Sequence, residues 1–161
     1  MIWSLVAKLL ARPAVSQWLW VRAQRTPYRH IQSADGTDTY MGRWWLFNGY
    51  DQPGYIAWLP SVRLHHIRRE DVDRHLHDHP WNARTFVLAG GYSEERIDGT
   101  THWRGPGETA ALRYGEFHKI TSVANGGAWT VFVTGRKQGT WGFMVEGMKV
   151  PYRKYLGLGS E

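Results

Sequence analysis

The pattern of apolar and polar residues divides the chain near residue 39. Before that point, apolar residues recur at helical spacing in two sets: Ile2, Leu5, Val6 and Leu9, and then Val15, Trp18 and Leu19. Pro13 suits the first turn of a helix, where its missing N–H would have no partner anyway. The pattern therefore predicts two short helices within an N-terminal segment, residues 1–30, that packs on the rest of the chain.

From residue 39 onward, short runs rich in aromatic and β-branched residues alternate with glycines and other turn residues. The runs include TYMGRWWLF, VRLHHI, RTFVLAGGY, HKITSV and AWTVFVTG. Asp98–Thr100 carries the Asp-Gly signal of a hairpin turn. About eight short strands at regular spacing predict an all-β jelly roll or small barrel over residues 39–155. With no linker or repeat, residues 1–161 are predicted to form a single domain.

Composition narrows the classes of function. The 161 residues include 10 Trp and no Cys, which excludes disulfides, thiolate metal ligands and cysteine nucleophiles. The lack of cysteine favours a cytoplasmic location. The net charge of +6 comes from scattered Lys and Arg, without a recognised nucleic-acid motif, so we expect no specific nucleic-acid partner. A homodimer is compatible with the sequence.

The N-terminal segment is apolar but is interrupted by Lys8, Arg12 and Pro13. These residues leave it short of the ~20 apolar residues that a membrane span requires, so we expect no transmembrane segment. Basic amphipathic helices also lie at membrane surfaces, and peripheral membrane contact therefore stays open as an alternative.

Histidines cluster in the stretch HLHDHPW, which places His75, His77 and His79 at every second position. On a strand, such residues share one face. Imidazole binds Fe, Zn, Ni, Cu and Mn, and one ion would satisfy several buried nitrogens together. A closed site needs a ligand from elsewhere in the fold, and His118, after the glycine of YGEFHKI, is the best candidate.

These residues resemble the two motifs of the cupins, small double-stranded β-helix barrels that carry metal ligands. In the first motif, His-x-His is followed by Glu and then Gly; His77, His79 and Gly90 or Gly91 match it. In the second motif, Gly115 and His118 match the Gly and His, whereas the motif's Pro and Asn are absent. More narrowly, HDHPW together with GGY and WGF resembles small cupin-like proteins of bacteria and phages.

The sequence departs from the motif at its glutamate, which would fall on Ala83 or Arg84. A three-histidine site remains, formed by His77, His79 and His118. It is similar to that of the thiol dioxygenase branch, and this resemblance favours Fe(II), with Zn, Ni or Mn as alternatives. His75 and Glu116 are further candidate ligands. The resemblance implies a non-haem iron oxygenase or dioxygenase-like oxidoreductase that acts on a small molecule.

Three residues are candidates for a catalytic role: Arg84, Tyr92 and Tyr114. An arginine on a buried strand needs an anionic partner, which could be Glu94, Glu95 or Glu116, or an anionic substrate.

Two other functions stay open. In a metal-free sugar-nucleotide epimerase or isomerase, His79 or His118 would act as base and Tyr92 or Tyr114 as acid. In a non-catalytic bacterial or phage binding module, the basic N-terminus and the tail KVPYRKYLGLGSE would be interaction surfaces.

Overall fold

The computed structural model describes residues 1–26, 28–32 and 36–158. The helices are α1 (Ile2–Leu10), α2 (Pro13–Ala23) and α3 (Tyr152–Tyr155). The strands are β1 (Ile31–Gln32), β2 (Thr39–Phe47), β3 (Ser61–Ile67), β4 (Trp81–Ala89), β5 (Tyr92–Arg96), β6 (Thr101–Arg104), β7 (Thr109–Leu112), β8 (His118–Val123), β9 (Ala128–Lys137), β10 (Gly142–Val145) and β11 (Met148–Pro151).

The N-terminal helices cover the outer face of the larger sheet. Ala7 of α1 and Ala23 of α2 are fully buried in a cluster that includes Leu64, Phe86 and Val131. Pro13 opens α2, as predicted, and α2 ends at Ala23, so the helical part of the predicted 1–30 segment stops there. Within the described residues, no helix is long and apolar enough to cross a membrane.

The larger sheet has six strands in the order β1-β2-β3-β9-β4-β7. The central strands β3, β9 and β4 pair antiparallel, which aligns Leu64, Val131 and Phe86 in a row on the outer, helix-covered face. Because side chains alternate along a strand, the neighbours of this row face inward. Arg63 and Phe132 are two of these inward residues.

The second sheet contains β6-β5-β8 and the β10-β11 pair. The histidine-rich segment lies between β8 and β10 and joins them. His77 and His118 exchange backbone hydrogen bonds, each with an N···O distance of 2.9 Å. On the other side, Met144 N donates to Leu76 O over 2.8 Å. The backbone of the predicted ligand segment is thus part of the second sheet.

The two sheets face each other around a cavity of about 770 Å³. A cluster of buried apolar residues adjoins the cavity, and three of its members, Ile67, Tyr92 and Ile120, line it. The predicted hairpin at Asp98–Thr100 is confirmed, since Gly99 has φ +78° between β5 and β6. The predicted all-β barrel with short N-terminal helices is likewise confirmed.

Candidate metal centre

Three histidines meet on the inner wall of the cavity. The candidate ligand nitrogens of His77, His79 and His118 all lie within 4.8 Å of one another. The closest contact joins His79 Nε2 and His118 Nε2 at 3.0 Å. The ring centroids are 4.8 Å apart for His77 and His118, and 5.3 Å apart for His77 and His79.

The backbone explains why these three side chains converge. His118 begins β8 directly after the turn at Gly115, whose φ of +79° favours glycine. The paired backbones of His77 and His118 hold their side chains next to each other. His79 follows two residues later and enters β4 through Pro80. Asp78, between the candidate ligands His77 and His79, is fully buried and accepts a hydrogen bond from Gly142 N over 2.7 Å, which anchors the segment to β10.

Glu94 fixes the orientation of His118. His118 Nδ1 donates to Glu94 Oε1 over 2.9 Å, and this leaves the lone pair of Nε2 directed toward the other histidines. Arg96 Nη2 and Arg104 Nε donate to Glu94 Oε2 over 3.0 and 3.2 Å. Burial alone would raise the pKa of Glu94, but the hydrogen bond from His118 and the charges of His118 and the two arginines lower it to about 2. Glu94 is therefore an ionised acceptor at neutral pH.

Burial keeps the other two histidines neutral. It lowers the pKa of His77 to about 4, with a further contribution from the charge of His118, and lowers that of His79 well below its ordinary value for the same reasons. Asp71 Oδ2 lies 3.8 Å from His77 Nδ1, which is too long for a hydrogen bond, and acts on His77 through its charge. Neutral imidazole is the form that binds metal ions.

The donor set fits a divalent transition metal. Imidazole nitrogens bind Zn²⁺ at about 2.0–2.1 Å in tetrahedral sites, so two of them on one ion lie about 3.3 Å apart. The Nε2 atoms of His79 and His118 are 3.0 Å apart, so a small rotation of either ring would bring them to that separation. Three neutral nitrogen donors without a carboxylate oxygen suit Fe, Zn, Ni or Cu better than Mn, which prefers oxygen ligands.

The other two candidate ligands lie apart from the three histidines. His75 Nδ1 makes a hydrogen bond of 2.9 Å with Tyr155 OH on α3, and its ring packs edge-on against that tyrosine. The Glu116 carboxylate is 44% exposed, accepts from Arg113 N over 2.9 Å and lies 3.5 Å from Arg96. Neither residue lines the cavity.

Of the three catalytic candidates, Tyr92 alone lines the cavity. Its hydroxyl is buried, and burial, with the charge of Glu94, raises its pKa to about 12. Arg84 lies on the outer face of β4, donates to Thr109 Oγ1 over 3.2 Å and covers the ring of Trp3. Among the described residues, it forms no ion pair with Glu94, Glu95 or Glu116.

Tyr114 is 39% exposed and lies beside Lys149, outside the cavity.

Sequence reasoning did not single out Glu94 as the partner of His118, nor Arg63 on β3 as a cavity residue. Both line the cavity, as does His65. The glutamate of the cupin motif is absent at Ala83 and Arg84. This absence was a usable signal for Glu94, because it suggests a search for another carboxylate on the next strand, β5. No signal in the sequence distinguishes Arg63 from the other arginines.

Neither a protein-family model nor a curated protein matches the sequence. Solved structures do match. DMSP lyase DddQ from Ruegeria pomeroyi is 16% identical with a TM-score of 0.59, over 87% of this chain and 68% of that one. A cupin-2 domain from Rhodospirillum rubrum is 11% identical with a TM-score of 0.55, over 73% of this chain and 74% of that one. The chain has the cupin fold. At these identities the likeness establishes the fold and leaves the reaction to be argued from the site.

Proposed function

We propose that this cupin-fold protein is a metal-dependent enzyme that acts on a small molecule, with His77, His79 and His118 as its metal ligands. The observation that carries the proposal is the convergence of three imidazoles, within 4.8 Å, on the wall of a cavity of about 770 Å³. Cavities of this size accommodate small organic ligands. Fe(II) is the favoured ion, which would make the protein a non-haem iron oxygenase.

Bound Fe(II) would supply one-electron chemistry with oxygen and open positions for substrate beside three neutral ligands. The protein residues would hold the ligands and exclude water. Glu94 keeps the proton of His118 on Nδ1, so Nε2 is free to bind. Trp141 and Phe132 form apolar walls beside the histidines, which limit the access of solvent.

For the alternative function, a metal-free epimerase or isomerase, Tyr114 is not available as the acid, because it lies outside the cavity. Tyr92 stays in the cavity as an acid for that alternative. The binding-module reading finds no specific support in the contacts of the described residues. A homodimer, a cytoplasmic location and the narrower likeness to bacterial and phage proteins stay predictions of the sequence.

Metal analysis of protein purified without a histidine tag tests the proposal. After anaerobic incubation with Fe(II) and removal of free ions, we expect about one ion per chain. His79→Ala should lose most of this metal, whereas His102→Ala, at an exposed position on β6, should retain it. Parallel incubations with Zn(II), Ni(II) and Mn(II) show which ion is preferred. The proposal fails if the wild-type chain takes up none of the four ions, or if both variants behave alike.

A further inference from the structure

The cavity that holds the three histidines also contains an unusual concentration of unpartnered polar atoms. Among the described residues, five buried side-chain nitrogens have no hydrogen-bond partner. Four of them belong to residues that line this cavity: Arg63 Nε, Arg63 Nη2, His65 Nε2 and Trp81 Nε1. An unsatisfied buried donor costs about 1–3 kcal/mol, so four in one place call for a partner.

Arg63 is the dominant group of this set. It is 3% exposed, and no carboxylate of the described residues forms an ion pair with it. Its guanidinium lies instead among aromatic rings, 5.4 Å from the centroid of Trp45 and 5.1 Å from that of Trp81. Burial lowers the pKa of Arg63 to about 10, so it still carries its positive charge at neutral pH.

The two free donors of Arg63 indicate the shape of the missing partner. Nε and Nη2 lie on the same edge of the planar guanidinium, and their N–H bonds point in parallel. This edge matches the two oxygens of a carboxylate in a bidentate pair. The indole N–H of Trp81 and the ring nitrogen of His65 add polar atoms on the same cavity wall.

Among the described residues, the other buried charged side chains have hydrogen-bond or ion-pair partners. Glu94 is held by Arg96, Arg104 and His118. Asp71 accepts from Ile120 N over 2.8 Å and from the hydroxyl of Tyr40. The unpaired state of Arg63 is therefore an exception that requires an explanation, and a bound anionic ligand would supply the missing partner.

We propose that Arg63, with His65 and Trp81, binds the carboxylate of a small organic acid whose other end reaches the three histidines. The inference rests on the proposed function, because it names the substrate class for the same cavity. The two subsites share their walls. The Trp81 ring stacks 6.3 Å from His79 and 5.1 Å from the Arg63 guanidinium, and Phe132 lies 5.9 Å from His79 and 5.4 Å from that guanidinium. One small molecule can therefore touch both.

Benzoate and its neutral isostere benzamide are suitable probes, because the cavity walls are largely aromatic. Isothermal titration calorimetry should detect benzoate binding to the metal-stripped wild-type protein, with benzamide about 10- to 100-fold weaker, the contribution of a charge-assisted bidentate pair. Equal binding of both probes, or tighter binding of inorganic phosphate than of benzoate, would overturn the carboxylate assignment. Using metal-stripped protein excludes direct binding of benzoate to an ion.

Two variants and a control locate the site. Arg63→Gln should weaken benzoate binding about 10- to 100-fold, and Arg63→Lys should lie between, because it keeps the charge and loses the planar edge. Arg84→Gln, on the outer face of β4, should bind benzoate like the wild type. Unchanged binding in Arg63→Gln would overturn the proposal.

A stability measurement separates binding from a structural role. Without ligand, Arg63→Gln should melt at or above the wild-type temperature, because it removes an unpaired buried charge. A lower melting temperature together with unchanged benzoate binding would mean that Arg63 serves packing alone. If benzoate binds at Arg63 but no metal is taken up, the proposed function fails and the carboxylate site stands.

Discussion

Replacing Glu94 with glutamine tests whether the carboxylate sets the proton position of His118. Arg104 donates to Oε2, and Arg96 Nη2 lies 3.0 Å from both carboxylate oxygens. Since Oε2 therefore faces two arginines and Oε1 faces one, a glutamine would turn its carbonyl oxygen toward the Oε2 position and its NH₂ toward His118 Nδ1. Nδ1 would then have to accept, and the proton would move to Nε2, the atom that faces the other histidines. Loss of such a partner typically weakens metal binding 10- to 100-fold, or about 1.4–2.7 kcal/mol.

Competition of Zn(II) between the protein and a chromophoric chelator measures this affinity. Glu116→Gln is a matched control, because Glu116 also lies beside Arg96, at 3.5 Å, but does not contact a candidate ligand. We expect its affinity to stay within about twofold of the wild type. The Glu94→Gln substitution leaves Arg96 and Arg104 with a weaker, uncharged partner, which could destabilise the fold. Circular dichroism therefore checks that the variant is folded. Wild-type affinity in folded Glu94→Gln, or an equal loss in both variants, would refute the reasoning.

Three further predictions follow from the same contacts. His118→Ala should lower the metal content from about one ion per chain to a small fraction, while His75→Ala retains it by elemental analysis; equal loss would mean that the ligand set is wrong. Burial lowers the pKa of His77 from 6.5 to about 4, so its contribution to stability is complete above 6.5 and declines as the pH falls toward 4. Urea unfolding of metal-stripped protein should therefore show a loss of at least about 2 kcal/mol between pH 7 and 5, since the lowered pKa of His79 acts in the same direction, and unchanged stability would contradict the buried, neutral state. Gly90→Ala should lower the melting temperature, because Gly90 has φ +68° and a Cβ there would lie 1.9 Å from Gly127 O; an unaltered melting temperature would contradict this.

The sequence predicted the features that depend on local pattern. Alternating apolar runs and turn glycines predicted the strands, Pro13 predicted the start of α2, and the Asp-Gly pair predicted the β5–β6 hairpin. The spacing of His77 and His79, with His118 after a glycine turn, selected three residues that the structure brings together.

The remaining site residues depend on contacts that no local pattern reports. The expectation for His75 assumed a continuous strand, but the segment is held by isolated backbone bridges, and His75 packs against Tyr155 instead. β4 is buried on both faces because the helices cover its outer side, so burial alone did not tell which way Arg84 points. The fold places His118, Arg96 and Arg104 around Glu94. Among the described residues it places no carboxylate in an ion pair with Arg63, and neither arrangement can be read from the sequence.

The position of the histidine segment in the second sheet has a kinetic consequence. His77 is bonded through its backbone to His118 on one side, and its neighbours Leu76 and Asp78 are bonded to β10 on the other. Opening of β10 and β11 away from this segment would loosen the proposed ligands His77 and His79 while the helix-covered sheet stays intact. Local openings of this kind occur far more often than global unfolding. The rate at which a bound ion exchanges with solvent would then follow amide hydrogen exchange in β10, and not the unfolding rate of the whole protein.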